Sequence, residues 1–361
     1  MKRYYFIVGE ASADLHAANL IKELSALDTD ATFQGFGGER MQKEGLELTK
    51  HYQEMAFMGF WEVLMNLSAI RKNFKQAKKE LLQYKPDVLV LVDYPGFNMR
   101  MATFAKKHNI KVVYYITPQV WAWKESRVKK LKRDVDLLLP ILPFERSFFA
   151  KHGIDVNYVG HPLLDVFKDL DSRNIESEKP IIAILPGSRK QEIATSLPIM
   201  MEVAKSFENY QFIIAGAPSI SQDYYRSITQ DSYMPVLSNQ THALLKECKA
   251  AIVTSGTATL EAAILKVPQV VCYKTSSISY FLAKLVVKVK YIALVNLICD
   301  KEVVKELIQD DFNDDNLVNE LNRILNKKNK TQILSDYDSL IRLLGDVGAS
   351  KRAADAINSL H

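Results

Sequence analysis

Ile182-Ala183-Ile184-Leu185-Pro186-Gly187-Ser188-Arg189, running on into Lys190-Gln191-Glu192-Ile193, decides how this chain is read. The apolar run reads as a buried strand that breaks at Pro-Gly, with Ser and Arg standing where a helix begins. A helix N-terminus offers free backbone N–H groups and a partial positive charge, which suits a phosphate. Gly187 lets the backbone come close, and Arg189 adds a planar charged fork that matches phosphate oxygens. The turn therefore reads as a holder for a diphosphate. An ordinary strand–turn–helix corner with a solvated arginine has the same local sequence, and the stretch alone does not separate the two.

Outward from this turn, strand-like and helix-like runs alternate to both ends of the chain. Strands are expected at 4–8, 32–36, 88–92, 112–116, 137–141 and 156–159, then at 181–185, 212–215, 252–254 and 270–273. Amphipathic helical patterns lie between them, at 14–27, 67–83, 192–208, 242–249 and 257–265. Near-continuous apolar strands separated by helices predict parallel sheets covered on both faces. The polar stretch 168–179 lacks apolar periodicity and reads as a linker. The fold class is thus α/β, with two doubly wound Rossmann-like domains at 1–167 and 180–336. A helical segment over 337–361 is expected to pack back across the domains or onto a partner chain. Ligands in such folds sit beyond the carboxyl ends of the strands, and a cleft between the two domains is the expected site.

The bulk numbers agree. A length of 361 residues is long for one hydrophobic core and comfortable for two. None of the three cysteines stands in a CxxC pair, which argues against a disulfide framework or a zinc site and for a reducing compartment. The apolar run after Met1-Lys2-Arg3 ends at Gly9-Glu10, too short for a signal peptide. No segment approaches the roughly 18 apolar residues of a membrane span. The net charge of +5 allows an anionic partner without demonstrating one, and nucleic acid is not expected.

The informative residues fall at strand ends. The first strand runs into Gly9-Glu10-Ala11-Ser12-Ala13-Asp14. Ser12 or Asp14 suits a helix N-cap, whereas Glu10 directly follows a buried strand and reads as facing the ligand. The run 88–92 ends in Asp93-Tyr94-Pro95-Gly96-Phe97-Asn98, where Asp93 either acts as a general base on a hydroxyl or caps the Pro-Gly turn. Trp121 and Trp123 stand beside Lys124, Arg127, Lys129, Lys130, Lys132 and Arg133. Aromatic rings next to cations suit sugars and anionic headgroups, although a core tryptophan beside a solvated basic helix reads the same way. Ser255-Gly256-Thr257-Ala258-Thr259-Leu260-Glu261 is a second small-residue helix start. Its backbone donors suit an anion, and Glu261, about a turn in, suits ribose hydroxyls. A Ser/Thr-rich cap with a surface glutamate is the plainer alternative.

Other features carry less. Gly35-Phe36-Gly37-Gly38 lacks the spacing of a dinucleotide fingerprint. Two DxD stretches, at 28–30 and 134–136, lack a supporting His or carboxylate cluster, so no metal is expected. His161 reads as a hinge or lining residue. Phe57, Met58, Phe60 and Trp61 precede a run of cations from Arg71 to Lys79, and 280–288 is a second apolar and basic patch. Either reads as core, and the pair together reads as contact with a lipid or an anionic membrane surface.

These segments resemble the lipid-A-disaccharide synthase family. The resemblance is carried by Gly9–His16, Met58–Leu64, Asp93–Asn98, Pro118–Trp123, Leu142–Glu145, Leu185–Arg189 and Ser255–Glu261, in the family's order along nearly the whole chain. It implies a GT-B glycosyltransferase that joins UDP-2,3-diacylglucosamine to 2,3-diacylglucosamine 1-phosphate (lipid X). The products would be a β-1,6 disaccharide 1-phosphate and UDP, formed without metal or other cofactor at the cytoplasmic face of the inner membrane. A peripheral membrane protein is implied, and a homodimer with exchanged C-terminal segments is known in the family. By position, Asp93 matches the base on the acceptor 6-hydroxyl and Arg189 the arginine on the diphosphate. Gly187, Ser188, Glu192, Ser255, Gly256, Thr257, Thr259 and Glu261 join Arg189 in holding UDP. Glu10, Ser12, Asp14, Phe57, Met58, Phe60, Trp61, Trp121, Trp123 and Asn296 go with the acceptor or its lipid. The chain departs from the family at Ala13, Tyr94, Gly96 and Val295. Another GT-B enzyme on a UDP-sugar, a 2-epimerase or a transferase to a different lipid, is the alternative that fold alone leaves open.

Overall fold

A computed structural model describes residues 1–55, 67–168, 175–230, 234–277, 280, 281, 284, 287 and 289–360. They fall into two compact units, one of Met1–Lys168 with Asp346–His361, the other of Asp169–Gly345.

The first unit is built on six parallel strands: β1 (Arg3–Val8), β2 (Thr32–Gly37), β3 (Leu46–His51), β4 (Val88–Val92), β5 (Lys111–Tyr115) and β6 (Leu137–Leu139). Their spatial order is β3-β2-β1-β4-β5-β6. The central strands β1 and β4 are buried along nearly their whole length because both faces are covered. Tyr4, Phe6, Val8, Val88, Val90 and Val92 enter one core with helix Ala11–Leu27. The alternate residues Tyr5, Ile7, Leu89 and Leu91 enter the opposite core with helices Leu67–Tyr84 and Pro95–Lys107. This is the two-residue period of a strand, expressed as two separate cores.

The second unit repeats the plan with β7 (Ile181–Leu185), β8 (Gln211–Gly216), β9 (Val236–Ser238), β10 (Ala250–Thr254), β11 (Gln269–Tyr273) and β12 (Glu306–Ile308). The order β12-β11-β10-β7-β8-β9 is the same connectivity, with the first strand central and the chain reversing direction after the third. Each sheet thus has one switch point, between β1 and β4 and between β7 and β10. There the crossovers diverge and leave a crevice at the carboxyl ends, the general ligand position of such sheets.

Three strands were not expected from sequence: β3, β9 and β12 all lie at sheet edges. An edge strand is covered less completely, so Leu46–His51 is mostly polar, while β9 and β12 are only three residues long. The strand expected at 156–159 is absent. Val156 and Val159 are buried, but the segment joins no ladder. The helix expected over the C-terminal segment is two, Lys327–Leu344 and Ala349–Asn358. Gly345 and Gly348 separate them at φ values of +84° and +101°, which glycine alone adopts freely. The last helix packs on Ala11–Leu27, and Asp165 caps it, accepting from the backbone N–H of Gly348 (2.5 Å), Ala349 (3.2 Å) and Ser350 (2.8 Å). No helix among the described residues is long and apolar enough to cross a membrane.

Candidate active site

In the first unit the switch point is formed by the ends of β1 and β4, which run level, Val8 opposite Val92. Glu10 and Asp93 follow directly. Asp93 and Tyr94 both adopt the left-handed conformation, at φ +47° and +48°. Two such residues in succession are strained and persist only where their surroundings hold them. The holding groups are fully buried. Asn98 Nδ2 donates to the Asp93 carbonyl at 2.8 Å, and the Tyr114 hydroxyl donates to the same oxygen at 2.7 Å. Tyr94 donates its hydroxyl to the Met55 carbonyl at 2.8 Å, and its ring lies over Gly9. A Cβ at residue 9 would come within 2.4 Å of that ring, so glycine there and tyrosine at 94 are one packing solution.

The Asp93 carboxyl is pushed up to about 7, chiefly by burial, then by the negative charge of Glu10, while the Tyr94 backbone N–H pulls it down and Glu145 adds to the rise. A carboxyl that titrates near neutrality can take a proton from a hydroxyl and still be ionised at working pH. Ser12 does not cap the helix; its hydroxyl donates to Glu10 Oε1 at 2.6 Å and fixes that carboxylate.

Asp14 lies in the first turn of helix Ala11–Leu27. Its buried carboxylate accepts from the backbone N–H groups of Gly38 (2.7 Å), Arg40 (3.2 Å) and Met41 (3.4 Å). It caps helix Glu39–Lys43 and joins it to Ala11–Leu27, a scaffold role. Phe57, Met58, Phe60 and Trp61 lie outside the described residues.

The loop after β5 is anchored by Glu145, which sequence reasoning left out of the site. This carboxylate, 1 % exposed, gathers the Thr117 hydroxyl (2.8 Å), the Trp121 indole N–H (3.3 Å) and the backbone N–H groups of Ile141 (3.1 Å) and Leu142 (2.9 Å). Its only sequence signal is a glutamate ending Leu142-Pro143-Phe144-Glu145 just beyond β6. Trp121 also meets the Phe144 ring edge-on at 4.8 Å, so it is a packing residue, while Trp123 is exposed.

Burial pushes Glu145 up to about 7, against the hydrogen bonds that pull it down. The folded protein therefore holds a proton on Glu145 at pH values where the unfolded chain, titrating near 4.3, has lost it. That contribution is present below the unfolded value and is lost as pH rises toward 7. Glu145→Gln removes it and leaves a backbone N–H poorly paired, costing about 1–3 kcal/mol. Relative to the parent protein, the variant should gain stability with rising pH between about 4.5 and 7, by about 1.4 kcal/mol per pH unit. Thermal unfolding of both proteins across that range checks this, and parallel pH curves would refute it.

In the second unit, β7 and β10 run level with Leu185 opposite Val253, which sets the two small-residue turns side by side. Gly187 has φ +118°, and a Cβ there would meet the Glu192 side chain at 2.7 Å. Glu192 is not free to face a diphosphate. Its Oε2 accepts from the Ser188 backbone N–H at 3.0 Å, and its Oε1 accepts from Arg189 Nη1 at 2.5 Å. The Ser188 N–H and Arg189 Nη1 thus both donate to a carboxylate of the same chain.

Helix Thr257–Ile264 opens on exposed Gly256 and Thr257, presenting its first-turn N–H groups. Thr259 is buried, and its hydroxyl donates to the Gly256 carbonyl at 2.8 Å; Ser255 donates to the Ile292 carbonyl at 3.2 Å. These two hydroxyls shape the turn. Glu261 Oε2 lies 3.1 Å from His242 Nε2, both partly buried. His242, on helix Thr241–Glu247, thereby fixes the carboxylate assigned to ribose, a pairing across elements that no local pattern reveals. Asn296 lies in helix Leu294–Cys299. It is fully buried, donates to the Val304 carbonyl (2.8 Å) and Glu306 Oε1 (2.8 Å), and accepts from the backbone N–H groups of Val303 (2.8 Å) and Val304 (3.0 Å). All its hydrogen-bonding capacity goes to holding the chain before β12, and none is left for an acceptor. No group of three metal-ligating side chains occurs among the described residues.

The family profile described as lipid-A-disaccharide synthetase matches residues 4–359. The lipid-A-disaccharide synthase of Trichlorobacter lovleyi is 36% identical over 99% of this chain and 97% of that protein. Among solved structures, a putative UDP-N-acetylglucosamine 2-epimerase from Listeria monocytogenes superposes with a TM-score of 0.71 at 12% identity, covering 99% of this chain and 96% of that one. The UDP-GlcNAc 2-epimerase of Neisseria meningitidis, solved bound to UDP-GlcNAc, gives 0.67 at 13% identity, covering 99% of each chain. At such identities the two structures share the fold with this chain and nothing finer.

Proposed function

The chain belongs to the lipid-A-disaccharide synthetase family, and from that membership we propose that it joins UDP-2,3-diacylglucosamine to 2,3-diacylglucosamine 1-phosphate. The products are the β-1,6 disaccharide 1-phosphate and UDP. Asp93 carries the reading: a strained, half-buried carboxyl, titrating near 7, at the switch point of the first unit.

Asp93 takes the proton of the acceptor 6-hydroxyl as that oxygen attacks the anomeric carbon of the donor sugar. The bond from that carbon to the diphosphate breaks in the same displacement, the anomeric configuration inverts, and the electron pair leaves on UDP. Negative charge builds on the leaving diphosphate. Arg189, the Ser188 N–H and the first N–H groups of helix Thr257–Ile264 are the donors that stabilise it, and Glu261, steadied by His242, holds the ribose. Each unit thus carries one half of the chemistry.

The protein works at an anionic membrane surface on the cytoplasmic side. Phe281, 63 % exposed, stands with exposed Lys284 and Val287, the apolar-plus-cation pattern of an interfacial contact. The test is incubation of the purified protein with both acylated substrates and mass detection of the disaccharide. Formation is expected to persist in excess EDTA. Activity lost in EDTA and restored by Mg²⁺ would return a metal to the mechanism. UDP-GlcNAc turnover in the absence of any acyl chain would favour an epimerase instead.

A further inference from the structure

We propose that Lys124 and Arg127, poised over the ring of Trp123, form the subsite for the phosphomonoester of the acceptor. This rests on the reading of the acceptor given above and names residues which that reading does not use.

Lys124 Nζ lies 4.3 Å from the centre of the Trp123 ring and the Arg127 guanidinium 5.2 Å from it. Both cations lie against the Trp123 ring, and the charge of Arg127 acts on Lys124. Burial and the Arg127 charge together pull the Lys124 ammonium below its usual range. The acid in this stretch, Glu125, points elsewhere and pairs with His152 at 3.1 Å. Among the described residues neither cation has a carboxylate ion-pair partner. Two neighbouring cations with no carboxylate paired to either among the described residues suit an incoming dianion.

Its place fits the chemistry. Lys124, Arg127 and Trp123 line a small, open surface depression together with Pro118 and Pro95. Pro95 is two residues beyond Asp93. The Arg127 charge also reaches the Tyr114 hydroxyl, which donates to the Asp93 carbonyl at 2.7 Å. In the acceptor, one hexose ring separates the attacking 6-hydroxyl from the anomeric phosphate. With the hydroxyl at Asp93, the phosphate must land within about one ring's width, and the depression that this cation pair lines also takes in Pro95, two residues from Asp93.

The test compares the acceptor with and without its 1-phosphate, in detergent, at saturating donor. In the parent protein the phosphate is expected to lower KM. The double variant Lys124→Ala with Arg127→Gln should raise KM for the phosphorylated acceptor by about tenfold or more, and leave the dephosphorylated acceptor and the donor KM unchanged. Arg127→Lys should recover part of the difference. Equal loss on both acceptors would make the pair a scaffold and overturn the subsite. Unchanged acceptor kinetics, with lost binding to phosphatidylglycerol vesicles, would make it a lipid-headgroup contact and overturn it as well. Failure of the parent protein to turn over either acceptor would instead sink the enzymatic reading itself, and this subsite with it.

Discussion

Asp93→Asn is expected to lower kcat by about 10²–10⁴-fold while leaving UDP affinity unchanged. The substitution is chosen for its silence elsewhere. Asparagine tolerates the left-handed backbone at φ +47° as well as aspartate does, and the Asp93 carbonyl keeps its bonds from Asn98 and Tyr114. What is lost is the capacity to accept a proton. The pH profile makes the same claim independently. Because burial and the Glu10 charge push Asp93 up to about 7, kcat/KM should rise through that region as the carboxylate forms and level off above it. Glu10→Gln removes one of the two main upward pushes and should move the rising limb to lower pH. Steady-state kinetics between about pH 5 and 9 read both effects. Full activity in the Asp93→Asn variant, or a profile indifferent to Glu10, would refute the assignment.

The legible parts of this chain and the illegible ones divide by physics. Interior strands such as Val88–Val92 and Ile181–Leu185 are visible because burial on both faces forces unbroken apolar runs. The edge strands escaped because partial cover permits sequences such as Leu46–His51. Candidate site residues were visible where a loop follows directly on such a strand, which is how Glu10, Asp93, Arg189 and Glu261 could be picked out. Several of the groups that hold them were not, because those relations are made across elements distant in sequence. Glu145 gathers donors 3 to 28 residues away, and His242 reaches Glu261 over 19. The same blindness explains Asp14 and Asn296. Both stand in motifs that look chemical, yet each spends its polar atoms on backbone or side-chain partners that only the folded chain supplies.

Arg189→Ala is expected to slow turnover by about 10²–10³-fold, the usual consequence of removing one donor from a charge that builds in the transition state. Arg189→Lys should recover only part of it, since an ammonium cannot reproduce the planar fork. The structure adds a reason to expect that this turn takes an oxyanion. Glu192 places one oxygen 3.0 Å from the Ser188 N–H and the other 2.5 Å from Arg189 Nη1, as two oxygens of a phosphate would sit. The carboxylate is a substitute for the ligand and also its competitor. A diphosphate must displace it and meets its negative charge while doing so. Glu192→Gln weakens that hold without changing its shape, so UDP should bind the variant more tightly than the parent protein. Titration of UDP into both proteins decides the matter. Weaker binding by Glu192→Gln would mean that the carboxylate orients Arg189 for the diphosphate and does not compete with it. Unchanged turnover by Arg189→Ala would remove the diphosphate from this turn altogether.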